Sequence, residues 1–251
     1  MNNRLLKTLA TLYLLAFLHT GYTADPGDPA VNVEPLAGEK HFKNLRQLSF
    51  GGQNAEAYFS HDGTRLIFQS TRGELGCDAI FRMDSDGSNV RQVSSGQGVT
   101  TCAFIAPDNR SIIYASTHLQ QQQCPPKPDY SQGYVWPLHP EYDIFRAGPE
   151  GENPQRLTDS GNYDAEAVYS PQGDRIIFTS LRSGDLELYL MNPDGSGVEQ
   201  LTDQPGYDGG AFFSLDGKWI VWRASRPTVA PSSMPRRTCN SSNARRSRTT
   251  R

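Results

Sequence analysis

Four stretches of this chain carry the same order of apolar and polar positions. They are SHDGTRLIFQSTR from Ser60, APDNRSIIYASTH from Ala106, SPQGDRIIFTSLR from Ser170 and SLDGKWIVWRASR from Ser214. A second stretch follows three of them: MDSDGSNVRQVS from Met83, AGPEGENPQRLT from Ala147 and MNPDGSGVEQLT from Met191. Together they predict four short strands per unit. Strand A reads EAYFS, CAFIA, EAVYS or GAFFS, and strand B reads RLIFQS, SIIYAS, RIIFTS or WIVWRA. Strand C reads AIFRM, DIFRA or ELYLM, and strand D reads VRQVS, PQRLT or VEQLT. These runs are rich in β-branched and aromatic residues and are bounded by Gly, Pro, Asp and Asn, as strands and their turns are. Asp62-Gly63, Gln172-Gly173 and Asp216-Gly217 fall between A and B, where Gly supplies the positive φ of a tight hairpin. Asn109 stands at the Gly position of the second unit, and Asn tolerates that geometry next best.

A strand-rich unit repeating every 40–50 residues or so is the signature of a propeller blade. One longer interval is explained by an insertion between His118 and Glu141. The expected fold is therefore all-β: a β-propeller of four-stranded antiparallel blades, with about three and a half blades forming an incomplete ring. A single such sheet cannot bury its faces alone, so blades stack. Alternation along strand B assigns Leu66, Phe68, Ile112, Tyr114, Ile176, Phe178, Ile220 and Trp222 to packing between blades. LRQLS at Leu45–Ser49 reads as a strand D with nothing before it, and Gly210–Arg226 as A and B with no clear C or D after it. Leu45–Ser49 is the natural candidate to complete the last blade.

The ends change the picture more than the middle does. Arg4 and Lys7 followed by the apolar run Leu9–Leu18 read as a secretory signal over residues 1–24, cut near Ala24 and leaving no transmembrane anchor. Residues 25–41 read as a linker and 42–227 as the repeats. Residues 228–251 abandon the pattern, with six Arg and no Asp or Glu. Three readings fit this tail: a shifted reading frame, disorder, or a basic arm for an anionic surface. The formal net charge of −3 argues against nucleic-acid binding by the propeller. Export permits disulfides. In an A-B-C-D blade the D-to-A and B-to-C connections leave from one face. Cys77 and Cys124 lie in B-to-C connections and Cys102 opens a strand A. The favoured pair is Cys102–Cys124, with Cys77 free or the alternative partner.

The turn motifs SHDGTRLIFQSTR with MDSDGSNVRQVS, and SPQGDRIIFTSLR with MNPDGSGVEQLT, resemble the signature of the TolB-like propeller family. In that signature a Ser-Pro-Asp-Gly turn precedes an apolar strand, and an Asp-Gly turn precedes Arg/Gln-Leu-Thr. The resemblance covers about Leu45–Arg226 and is specific for the blade rather than for an activity. It implies a periplasmic or secreted propeller.

Candidate chemistry gathers on the face of the D-to-A and B-to-C loops. Glu56, Tyr163, Asp164, Glu166, Tyr207 and Asp208 approach it from strand A, and Arg72, His118 and Arg182 from the end of strand B. Tyr163-Asp164 and Tyr207-Asp208 recur at one unit position, as a pairing role in every blade also predicts. The insertion Leu119–Pro140 adds Tyr130, Tyr134 and Trp136, residue types that anchor interfaces. No Gly-x-Ser-x-Gly elbow, phosphate loop or His-Glu-x-x-His helix occurs, and His118, Cys124 and His139 fit no metal-ligand spacing. No catalytic residue, metal or cofactor is expected. The sequence points to an exported scaffold that binds a protein or cell-envelope component. The alternatives are a hydrolase or lyase acting on peptide or glycan through acids such as Glu56 or Glu166, and a non-functional fragment of a larger propeller.

Overall fold

The computed structural model describes residues 30–131, 133 and 135–226, together with the backbone of 244–248. The proposed signal, Tyr134, Cys239 and most of the tail lie outside them. The described residues contain no helix. A two-stranded ribbon, β1 (Val31–Asn32) and β2 (Arg46–Gln47), comes first. Blade one is β3 (Gln53–Phe59), β4 (Arg65–Thr71), β5 (Ala79–Asp84) and β6 (Arg91–Gln92). Blade two is β7 (Thr100–Ile105), β8 (Ile112–Ser116), β9 (Asp143–Ala147) and β10 (Gln155–Arg156). Blade three is β11 (Asp164–Tyr169), β12 (Ile176–Ser180), β13 (Glu187–Met191) and β14 (Glu199–Gln200). Blade four is β15 (Asp208–Phe213), β16 (Trp219–Ala224) and β17 (Ala244–Arg248). Every pairing within a blade is antiparallel.

The A-to-B turns form as their residues dictate. Asn109 sits at φ 59° where Gly63, Gly173 and Gly217 take 70°, 73° and 68°. The Asp62 carboxylate accepts from the Thr64 amide at 3.0 Å and from the Ser60 hydroxyl at 2.7 Å, closing the turn with side-chain bonds.

The core lies in the seams between blades. Ile67 and Ile80 of blade one meet Ile105, Ile112 and Tyr114 of blade two. Ile113 and Ile144 of blade two meet Ile176 and Phe178 of blade three, and Ile177 and Leu188 meet Ile220 of blade four. Alternate residues of a central strand B thus face different neighbours, and both parities pack. The alternation in the sequence assigns only one of them, and in blade one its members Leu66 and Phe68 lie on the outer face under Leu48 rather than in a seam between blades. A sheet covered on both faces writes a near-continuous apolar run, as at Ile112–Ser116 and Ile176–Ser180, which are buried throughout.

The arc is open among the described residues. Where neighbouring blades share whole clusters, blades one and four touch through Tyr58 and Phe212, whose ring centroids are 5.4 Å apart. Arg46–Gln47 does not complete blade four. It pairs with Val31–Asn32, and Leu48 packs on the outer face of blade one against Leu66, Phe68, Phe81 and Met83. That face has no neighbouring sheet, and burying four large apolar side chains outweighs extending a remote edge by one strand. Blade four instead gains Ala244–Arg248, from the segment that read as a tail, in register with Trp219–Arg223.

Every strand A carries a β-bulge at one position. The register slips between Ala55 and Tyr58, Thr101 and Phe104, Ala165 and Val168, and Gly209 and Phe212. The bulged residues Glu56, Cys102, Glu166 and Gly210 have φ of 50°, 50°, 58° and 58°. Only the last is the glycine that this left-handed geometry favours.

Candidate functional site

The bulges aim Glu56, Cys102 and Glu166 at the propeller axis. They surround a cavity of about 30 Å³ floored by Tyr58, Phe104 and Phe212, which is room for one or two waters. The Glu166 carboxylate accepts from the Thr179 hydroxyl at 2.6 Å, the Gly210 amide at 2.8 Å and the Tyr207 hydroxyl at 3.2 Å. Burial raises its pKa against those bonds, with the Glu56 charge adding to the rise. Glu56 accepts from the Tyr58 hydroxyl. Glu56 and Glu166 therefore line this cavity between the strands A, Glu56 exposed and Glu166 buried, rather than the Arg-Asp pairs of the mouth.

The mouth itself is built from one repeated pairing. Arg182, two residues past strand B, donates from Nη2 to both Asp164 oxygens at 3.0 and 3.1 Å. Arg226 does the same to Asp208 at 2.8 and 2.8 Å, and Trp222 Nε1 adds a bond to Asp208 at 2.7 Å. Both aspartates are fully buried. The guanidinium of Arg182 also lies over the rings of Phe178 and Tyr189, at 5.1 and 5.0 Å. Blade one keeps the stack but changes the partner. Arg72 lies 5.3 and 5.0 Å from the Phe68 and Phe81 rings and donates to Asn54 Oδ1 at 2.6 Å. In blade two His118 takes the position, with Nδ1 2.8 Å from Ser116 Oγ and its ring 4.4 Å from Phe145. Burial lowers the His118 pKa.

Tyr163 and Tyr207 are buried, at 1% and 6% exposure, in a cluster with Tyr142 and Leu186 beneath the mouth. They support the face and do not present themselves on it. Trp136 of the insertion packs edge-on against Tyr163, with centroids 6.2 Å apart. Leu119 and Tyr130 stay exposed at 56% and 51%.

The disulfide differs from the expected pair. Cys77 joins Cys124, with Cα atoms 5.6 Å apart, and Cys102 is free and buried. The bulge turns Cys102 toward the axis, out of reach of the outer loops, while the two B-to-C connections of blades one and two run side by side. Gly76 makes room: a Cβ there would lie 3.1 Å from the Cys124 sulfur. His118, Cys124 and His139 are not brought together as ligands, since Cys124 is bonded and His139 lies against Tyr142.

Three groups escaped the sequence reading. Arg156 bridges Asp143 and Asp159 at 2.6 Å each. Arg82 of blade one pairs with Glu150 of blade two. Glu187, at the start of strand C, is 3% exposed. The recurrence of an acid at the first residue of strand C, Asp143 and Glu187, was the available signal for two of these.

No protein-family model matches the chain. Among solved structures it resembles TolB of Agrobacterium tumefaciens, with a TM-score of 0.54 and 23% identity over 69% of this chain and 55% of that one. TolB of Acinetobacter baumannii gives 0.57 and 20% identity over 73% of this chain and 40% of that one. A chain from a nidogen–laminin complex gives 0.50 and 15% over 67% and 57%. The likeness shows a TolB-like propeller fold. The chain matches about half, or less, of the length of the two TolB proteins.

Proposed function

We propose that this protein is an exported, non-enzymatic propeller that binds a protein or cell-envelope component through its insertion-bearing face. The observation that carries the reading is the insertion, pinned across two blades by Cys77–Cys124, with Leu119 and Tyr130 more than half exposed. A long loop fixed at this cost in chain freedom, with an aromatic and an aliphatic side chain partly exposed, fits an interface better than a connector. The disulfide favours a periplasmic or secreted location. A nidogen–laminin assembly offers a chain of similar fold within a protein complex. The hydrolase or lyase reading is less favoured, because Glu166 is already engaged by three donors beside a cavity of about 30 Å³.

The test is partner recovery from envelope extracts with the full chain and with Leu119→Ser/Tyr130→Ala, both carrying the disulfide. A partner enriched on the parent and reduced at least tenfold on the variant is expected. Equal recovery removes the insertion face from the account.

A further inference from the structure

Comparing the blades position by position exposes one imbalance on the mouth. Blades three and four end strand B with an arginine that is closed by a carboxylate of its own strand A, Asp164 on Arg182 and Asp208 on Arg226. Blade one has the same arginine and the same stack of rings beneath it, but Asn54 stands where the aspartate would be. Asn54 can accept a hydrogen bond and cannot balance a charge. Arg72 spends Nε on Ser70 Oγ at 2.9 Å and Nη2 on Asn54, and no described residue engages Nη1. None of the ion pairs of the described residues includes Arg72. Burial pushes this guanidinium below its usual pKa.

We propose that Arg72 is the receptor for a carboxylate carried by the partner, docking where blades three and four supply their own. The site is assembled in advance. The rings of Phe68 and Phe81 fix the plane of the guanidinium, and Ser70 and Asn54 fix its rotation, so little side-chain freedom is lost on binding. Its place also fits the proposed face. Arg72 opens the loop that carries Cys77, and Cys77 ties that loop to the insertion through Cys124. The inference rests on the binding reading of this face and adds the chemistry of what is bound.

The decisive variant is Asn54→Asp, which supplies the missing carboxylate from within and keeps Arg72 in place. The probe is sodium acetate, followed on the Arg72 Nε–H signal by NMR of the full, disulfide-bonded chain, with sodium chloride at matched ionic strength as the control. The parent signal is expected to move saturably with acetate and not with chloride, and the response of Asn54→Asp to be at least tenfold weaker. Equal responses in both proteins, or equal responses to acetate and chloride, overturn the proposal. A second arm uses acetyl-Ala-Ala as the free acid, its amide, and acetyl-Asp-Ala amide. Response to the free acid alone assigns a chain terminus, response to the Asp peptide assigns a side chain, and response to the uncharged amide overturns the carboxylate assignment. Asn54→Asp also folds through a pairing that two other blades already use, so a lost response is not a lost structure. Failure here leaves the insertion variant's partner recovery unaffected, so the two readings fail separately.

Discussion

Glu187 is an acid held where its charge is unwelcome. Burial raises its pKa to about 7, and the charges of Asp208 and Asp185 add to the rise against the Thr202 hydroxyl and Arg226. Asp143 opens strand C of blade two in the same way, but Arg156 donates to it, and blade three has Gln200 in that ladder position. A carboxyl raised from 4.5 to about 7 in the fold binds its proton more tightly folded than unfolded. Its contribution to stability is therefore full below pH 4.5 and is lost as pH rises through 7. The loss can reach about 1.4 kcal/mol per pH unit within that window. From pH 5 to about 7.5 the urea midpoint of the parent should decline relative to that of Glu187→Gln. His118 and His139, whose pKa values burial lowers, act in both proteins, so the difference isolates Glu187. Parallel pH curves would sink the assignment. Repetition made the arginine and tyrosine positions legible in the sequence. Glu187 was not, because an acid at a strand start reads as solvated until the neighbouring blade is laid over it.

At the scale of the strand, four predicted starts of strand A are the four bulged residues. Glu56, Cys102, Glu166 and Gly210 open the runs EAYFS, CAFIA, EAVYS and GAFFS, yet the strands begin at Gln53, Thr100, Asp164 and Asp208. A bulge inserts one residue and breaks the period of two, so the alternating pattern is legible only beyond it. That shift is why Glu56 and Glu166 read as mouth residues and sit on the axis. Gly210 at φ +58° is the unstrained member. A Cβ there would meet the Arg223 side chain and the Tyr207 hydroxyl at 3.7 Å, which is ordinary contact, so backbone strain alone sets the cost. Gly210→Ala should destabilise by about 1 kcal/mol. Glu56→Gly, which relieves the same strain at an exposed site but loosens the unfolded chain, should stay within about 0.5 kcal/mol of the parent. Urea melts of both decide this, and a larger loss for Glu56→Gly would show that its side chain, not its backbone, matters.

The whole molecule is a row of seams held at two further places that no strand pattern records. The ribbon of β1 and β2 with Leu48 covers the outer face of blade one, and the disulfide ties blade one to the insertion of blade two. Blade number and turn chemistry follow from the repeat. The choice among Cys77, Cys102 and Cys124 does not, since it depends on which loops lie side by side and which residue a bulge turns inward. The observed link spans a sequence separation of 47. On chain-entropy grounds, closing a loop of that length destabilises the unfolded chain by about 4 kcal/mol. Cys77→Ser/Cys124→Ser should lose stability of that order under non-reducing conditions, and the parent should fall to the same midpoint once reduced. Cys102→Ser should keep the oxidised midpoint within about 1 kcal/mol, because it leaves the staple intact and changes one buried atom. Peptide mapping without reductant supplies the direct check. A linked Cys102–Cys124 peptide would overturn the assigned pair, and a double variant as stable as the oxidised parent would mean that the insertion is held by its packing on Tyr163 and not by the staple.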